Sequence, residues 1–186
     1  MNPSFRDLLG RRTLILGDVG SGKTELTRRL LMEALELGYS GEVTVIDMAP
    51  EREVIGGISI GGLLLDAVGR RGIRYLAPSR VEKPRLKASS AEELRRLVRL
   101  NAERIRPLLE EYLSSSTPIL FINDVSIYLQ SGSLHPLLDV VERAETFIAN
   151  GYYGEYLAED RGTGISEVER RLMELLSSHM DVVVAL

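Results

Sequence analysis

The chemistry of this chain is concentrated in residues 17–24, GDVGSGKT. Gly17, Gly20 and Gly22 let successive backbone N–H groups turn inward with no Cβ in the way, which is what an anion nest requires. Lys23 is spaced to bring an ammonium to the β- and γ-phosphates of a bound triphosphate, and the Thr24 hydroxyl to ligate Mg²⁺. A helix starting there adds the partial positive charge of its N-terminus. The expected cradle is Gly17, Asp18, Val19, Gly20, Ser21, Gly22, Lys23, Thr24 and Glu25. The competing reading, a chance glycine turn, does not account for the apolar strand run before it and the helical run after it.

A second anchor is needed for the metal: a carboxylate at the end of an apolar strand. Asp124, after Ile119-Leu-Phe-Ile-Asn123, fits, with an aspartate that merely caps a turn as the alternative. Two further acids follow another apolar run, Val43-Thr-Val-Ile, at Asp47 and Glu51. A general base must lie within hydrogen-bond reach of the water it activates, so loop solvation is the competing role for both. Asn150 closes a fourth apolar run, Thr146-Phe-Ile-Ala, and is also well suited to a turn with Gly151.

On these residues the chain resembles the P-loop NTPase superfamily, with residues 17–24 as its Walker A motif and Asp124 as its Walker B aspartate. In organisation it is similar to small archaeal-type ATP-binding proteins. The resemblance implies ATP and Mg²⁺ as cofactors, with Lys23 on phosphate and Thr24 and Asp124 on the metal. Many such ATPases carry a water-polarising glutamate directly after the aspartate; here Val125 stands there. Some RecA-like members carry it after the second strand, which makes Glu51 the first candidate and Asp47 the second. The RecA-like branch also implies a strand between the P-loop and magnesium strands that ends in a γ-phosphate sensor, and Asn150 matches that position. The expected fold is α/β, three-layer α/β/α with a mainly parallel sheet, RecA-like P-loop NTPase. Its core strand order is expected to be 5-1-4-3-2, with an edge addition near residues 73–76. No Asn/Thr-Lys-x-Asp guanine-reading sequence occurs, and the lysines are residues 23, 83 and 87 alone, so the comparison favours ATP over GTP.

Three functions follow from the resemblance: a small RecA-like ATPase or ATP-driven switch, a phosphotransferase or corrinoid adenosyltransferase-like enzyme, and a non-hydrolysing ATP-binding module. The segment order after Asp124 is similar to that of the adenosyltransferases, whose P-loops are more divergent than GDVGSGKT. The chain looks like a bare core, so self-assembly or a protein partner is expected to complete the active site.

Other features are less specific. Tyr152, Tyr153 and Tyr156 cluster beside a proposed strand end, where they could stack on a base or a partner or simply order a loop. Arg161 is a candidate arginine finger. His135 and His179 are isolated. Residues 69–90 carry seven basic residues and one acid, so the remainder of the chain is at −10 within a net charge of −4. An ion-paired face against Glu92, Glu93, Glu103, Glu110 and Glu111 is the favoured reading of that segment, ahead of nucleic acid or an acidic partner. A general nucleic-acid binder is usually basic overall, and this chain is not.

The elements that must position these residues alternate. Strand runs are expected over 13–16, 43–46, 119–123, 146–149 and 182–186. Helical runs are expected over 23–37, from 63, from 91 to about 112 with a kink or break at Pro107, over 134–143, and to about 178. Two capping boxes, Ser90–Glu93 and Ser166–Glu169, mark helix starts. Near-continuous apolar strands between amphipathic helices mean a parallel sheet covered on both faces. One domain over residues 1–186 is expected. There is no cysteine, which excludes disulfides and thiolate chemistry. No apolar run is long enough to span a bilayer and the N-terminus lacks a signal pattern, so the expectation is a cytoplasmic protein without a membrane partner.

Overall fold

The computed structural model describes residues 2–69 and 71–186. In chain order the elements are α1 (Phe5–Leu8), β1 (Arg12–Gly17), α2 (Lys23–Glu36), β2 (Val43–Asp47), β3 (Glu53–Ile55), β4 (Ile58–Ile60), α3 (Leu65–Val68) and β5 (Arg74–Leu76). They continue with α4 (Pro84–Lys87), α5 (Ala91–Ser114), β6 (Ile119–Asn123), α6 (Ser126–Leu129), α7 (His135–Arg143), β7 (Thr146–Tyr152), α8 (Ile165–Ser177) and β8 (Val182–Ala185).

Six strands form one sheet in the order β5-β2-β6-β7-β1-β8, and every pairing in it is parallel. The side-chain period of two explains how one sheet serves two cores. Leu14, Leu16, Ile46, Leu120, Ile122, Phe147 and Ala149 face a core built with α5, α6, α7 and α8. The alternating set, Ile15, Val43, Val45, Phe121 and Ile148, packs against α1, α2 and α3. The result is a mixed α/β architecture with helices on both faces of the sheet. No described helix is long and apolar enough to cross a membrane.

Several local expectations need correction. Helix α5 runs through Pro107 without interruption. At its start Ser90 Oγ accepts from Glu93 N at 3.1 Å, but the Glu93 carboxylate turns to Ser89, accepting from its N at 2.7 Å and its hydroxyl at 2.6 Å. The second capping box is absent. Helix α8 begins at Ile165 behind a left-handed Gly164, and its first amides go to Thr163 Oγ1 and Asp160 Oδ2. Glu169 is thereby released for a different role.

Strand β7 extends to Tyr152, so Asn150 and Gly151 pair within the sheet opposite Ile15 and Leu16 instead of forming a turn. An antiparallel hairpin, β3–β4, occupies the loop after β2. Its Gly56-Gly57 corner has φ of +58° and +81°, the conformation of a two-residue turn that glycine adopts without strain.

Candidate nucleotide site

The carboxyl ends of β1, β6 and β7 converge on one cavity, the position where open α/β sheets bind ligands. Val19, Gly20, Lys23, Thr24, Asp124 and Asn150 line it, together with Asn123 and Tyr152. Its far wall is the end of the β3–β4 hairpin, Ser59, Ile60 and Gly61. The loop between β1 and α2 is shaped by left-handed Gly20 and Gly22, at φ +74° and +95°. A Cβ on Gly17 would lie 2.3 Å from Ser21 Oγ and 2.8 Å from the Leu186 carbonyl, so a side chain there is sterically excluded.

Lys23 opens α2 and its Nζ donates to the Asp18 carbonyl at 2.5 Å. Burial pulls the Lys23 ammonium below its ordinary pKa, against the attraction of Asp124 and Asp18. The Asp18 carboxylate accepts from Val19 N at 2.7 Å, Glu155 N at 2.9 Å and Tyr156 N at 3.3 Å. It therefore fastens the glycine loop to the segment after β7. Gly154 permits this approach: a Cβ there would come within 2.2 Å of the Asp18 side chain. Glu25 stands exposed on α2 beside Arg28 at 3.7 Å, away from the cavity.

Asp124 sits across from Lys23 with a left-handed backbone, φ +60°. Its amide donates to Asn150 Oδ1 at 2.9 Å, and the Ser126 hydroxyl donates to its carboxylate. Burial pushes the Asp124 carboxyl up; the Ser126 hydrogen bond, Lys23 and Arg85 pull it back.

Asn150 is fully engaged inside the protein. Its Nδ2 donates to Thr27 Oγ1 at 2.8 Å and Asn123 Oδ1 at 2.9 Å. Asn123 Nδ2 passes the connection on to Asp47 Oδ1 at 2.9 Å and to the Gly62 carbonyl at 2.9 Å. Asp47 has no exposed surface. It accepts from Leu64 N at 2.7 Å, the Tyr75 hydroxyl at 2.7 Å and Ala49 N at 3.3 Å as well. Burial raises its pKa, and those donors oppose the rise. A buried polar chain, Thr27–Asn150–Asn123–Asp47–Tyr75, thus crosses the sheet from α2 to the edge strand. Glu51 is exposed and lines a separate cavity on the far side of the hairpin, alongside Asp47. The structure therefore brings together the glycine loop, Lys23, Thr24, Asp124 and Asn150, and leaves Glu51 outside that group.

The residues present fit the groups they are expected to hold. The glycine loop and Lys23 suit a polyphosphate, and Thr24 and Asp124 line the same cavity, as a shared metal requires. Among the described residues no group of three or more His, Asp or Glu forms an all-protein metal cage. Mg²⁺ usually binds through few carboxylates plus phosphates and water, so such a cage is not needed.

Beside Asp124 lies an ion pair that no local sequence pattern marks. Arg85 and Glu169 side chains are 5% and 3% exposed and meet in two bonds, at 2.9 and 3.1 Å. Gln130 Nε2 donates to the same carboxylate at 2.8 Å, and the Arg85 guanidinium stands 5.1 Å over the Tyr152 ring. Arg85 was hidden within a basic run and Glu169 within an apparent capping box. Tyr153 instead packs under Arg170 and donates to Glu174 at 2.7 Å, while Tyr156 is exposed. Arg161 is exposed, with its charge felt at Glu93 and its side chain outside the cavity.

Five of the six described basic residues of the segment 69–90 are ion-paired, but mostly to other acids than expected. Arg74 meets Glu111 at 3.2 Å, as expected; Lys83 and Lys87 meet Glu53, Arg80 meets Glu82 and Arg85 meets Glu169. Arg70 of that segment lies outside the described residues.

No family model matches the chain. No curated protein matches it. Among solved structures it is similar to the cytoplasmic domain of the Thermomonospora curvata Type VII secretion ATPase EccC, at 18% identity and a TM-score of 0.39. That match covers 89% of this chain and 18% of the other, so the chain spans less than a fifth of that protein. A likeness of this degree says nothing about activity.

Proposed function

We propose that this chain is a RecA-like P-loop domain that binds Mg-ATP and hydrolyses it slowly unless a partner or second copy completes the site. The observation that carries the reading is the facing pair: Lys23 under the glycine loop and Asp124 across the same cavity, with Thr24 on its lining as well. In this reading the loop amides and Lys23 hold the β- and γ-phosphates, and Thr24 and Asp124 hold the metal. Bound Mg²⁺ supplies charge neutralisation on the phosphate oxygens. The position of β7 between β1 and β6, bearing Asn150, supports the RecA-like branch. Asn150 would then act by setting the Asp124 amide, since its own polar atoms are already bonded.

A second reading, ATP binding without turnover, is favoured by the acids. Asp47 is buried and its carboxylate already accepts four hydrogen bonds, while Glu51 lies in the neighbouring cavity. Titration of a fluorescent ATP analogue with and without Mg²⁺, coupled to phosphate release, tests both. Saturable, Mg-dependent binding is expected, weakened at least about tenfold by Lys23→Ala, roughly 1.4 kcal/mol. A folded chain that binds no nucleotide at millimolar concentration overturns both readings. Binding with no phosphate released leaves the second.

A further inference from the structure

The distribution of lysine points to a second site. The chain uses arginine 20 times and lysine only at 23, 83 and 87. All three lysines line cavities at the carboxyl edge of the sheet. Lysine and arginine are not interchangeable: the ammonium is a compact, rotatable point charge where the guanidinium is a rigid fork. Lys23 serves the glycine loop. Lys83 and Lys87, one turn apart around α4, face the larger cavity beyond the hairpin.

That cavity is about 590 Å³, within the range of small-molecule sites, and it meets the nucleotide cavity at Ala49, which lines both. One wall holds Lys83 and Lys87. Both reach a single carboxylate, Glu53, at 2.6 and 2.8 Å. Lys83 is not an ordinary solvated surface cation, since its side chain is only 12% exposed. The two ammoniums hold the Glu53 carboxyl down at about 2. Glu53 belongs to β3, which among the described residues pairs with β4 alone, outside the main sheet. Glu51 lines the same cavity, and its carboxylate meets no cation or donor among the described residues.

We propose that Lys83 and Lys87 form an oxyanion-binding site for a small molecule bearing a phosphate or carboxylate at one end and a hydroxyl or amine donor at the other. Glu53 is its built-in occupant and leaves when the ligand enters; Glu51 takes the donor end. The geometry is that of a receptor already filled by a carboxylate of its own chain. Two ammoniums meet the single Glu53 carboxylate, so a dianion in its place is matched charge for charge; of the other charges lining the cavity, Arg80 is paired with Glu82 and Glu51 is left for the donor end of the ligand. The site goes beyond the nucleotide reading and does not depend on it.

The small number of lysines makes the test direct. In the full chain labelled with ¹⁵N-lysine, three side-chain amine signals arise. Lys87→Met and Lys23→Met assign them. Inorganic phosphate and malonate are titrated separately at constant ionic strength, with the glycine loop filled by a non-hydrolysable Mg-ATP analogue. The Lys83 and Lys87 signals are expected to shift saturably while Lys23 does not. Glu53→Gln removes the occupant and tightens binding at least about tenfold; Lys83→Met with Lys87→Met abolishes it. Response to phosphate alone or malonate alone identifies the anion. An unaltered affinity in a folded Glu53→Gln protein, or shifts confined to Lys23, overturns the proposal. A chain that binds no nucleotide still reports at Lys83 and Lys87, so failure of the nucleotide reading is separable.

Discussion

Asp124 holds a backbone conformation that costs a non-glycine residue of the order of 1 kcal/mol or more. It persists because its amide and that of Val125 are both fixed on Asn150, by Oδ1 and by the carbonyl, each at 2.9 Å. Asparagine tolerates the left-handed region nearly as well as any side chain. Asp124→Asn is therefore expected to leave urea stability within about 1 kcal/mol, since the strain is tolerated and a half-buried charge is removed. The same variant should lose the Mg²⁺ enhancement of nucleotide binding. A large loss of stability would show that the carboxylate holds the fold and not the metal. Arg85 and Glu169 give the opposite pattern. Removing one partner strands a buried charge, so Arg85→Met should destabilise by about 3–5 kcal/mol, while Arg85→Met with Glu169→Leu restores much of that. At this scale the sequence was readable where a local pattern constrains chemistry, as in residues 17–24. It was silent where function depends on distant partners. Asn123 looks like a strand terminus, yet it links Asn150 to Asp47 across two strands, and its spacing carries no mark of that. Glu169 has the spacing of a cap and the burial of a core residue.

The alternation of apolar strands and amphipathic helices was legible because each element is long enough to show its period. The hairpin was not, because β3 and β4 have three residues each and cannot display alternation. Its one signal was Ile55-Gly56-Gly57-Ile58, a two-residue turn flanked by β-branched residues. That hairpin forms the wall between the two cavities, and its charge is what ties it down. Glu53 has its folded pKa below its unfolded value of about 4.5, at about 2. A depressed carboxyl contributes stability that is fully present above the unfolded pKa and is lost as pH falls through the folded one. The hairpin should therefore stay docked on Lys83 and Lys87 through mild acid and release between about pH 4.5 and 2. Amide hydrogen exchange over residues 53–60, followed across that window, reads the release. In Glu53→Gln the hairpin should exchange faster at neutral pH and lose the acid transition.

For the whole molecule, the polar chain from Thr27 to Tyr75 and the strap from Asp18 to Glu155 make the candidate nucleotide cavity a junction of α2, the central strands and the segment before α8. A ligand there clamps elements that lie far apart in sequence, so it should stabilise the global fold and not one loop. A ligand that binds only the native state adds about 2.7 kcal/mol at a hundred times its dissociation constant. For a chain of 186 residues each kcal/mol raises Tm by about 2–4 °C, so Mg-ATP at that excess should raise it by about 5–10 °C. Lys23→Ala, with binding about tenfold weaker, should cut the rise at the same ligand concentration to about half or less. Gly154→Ala should reduce it, because the new methyl forces Asp18 off the amides of Glu155 and Tyr156 and loosens the loop from its strap. If Gly154→Ala instead keeps the full ligand-induced rise at a lowered apo Tm, the strap serves the fold alone and the glycine loop holds its shape without it.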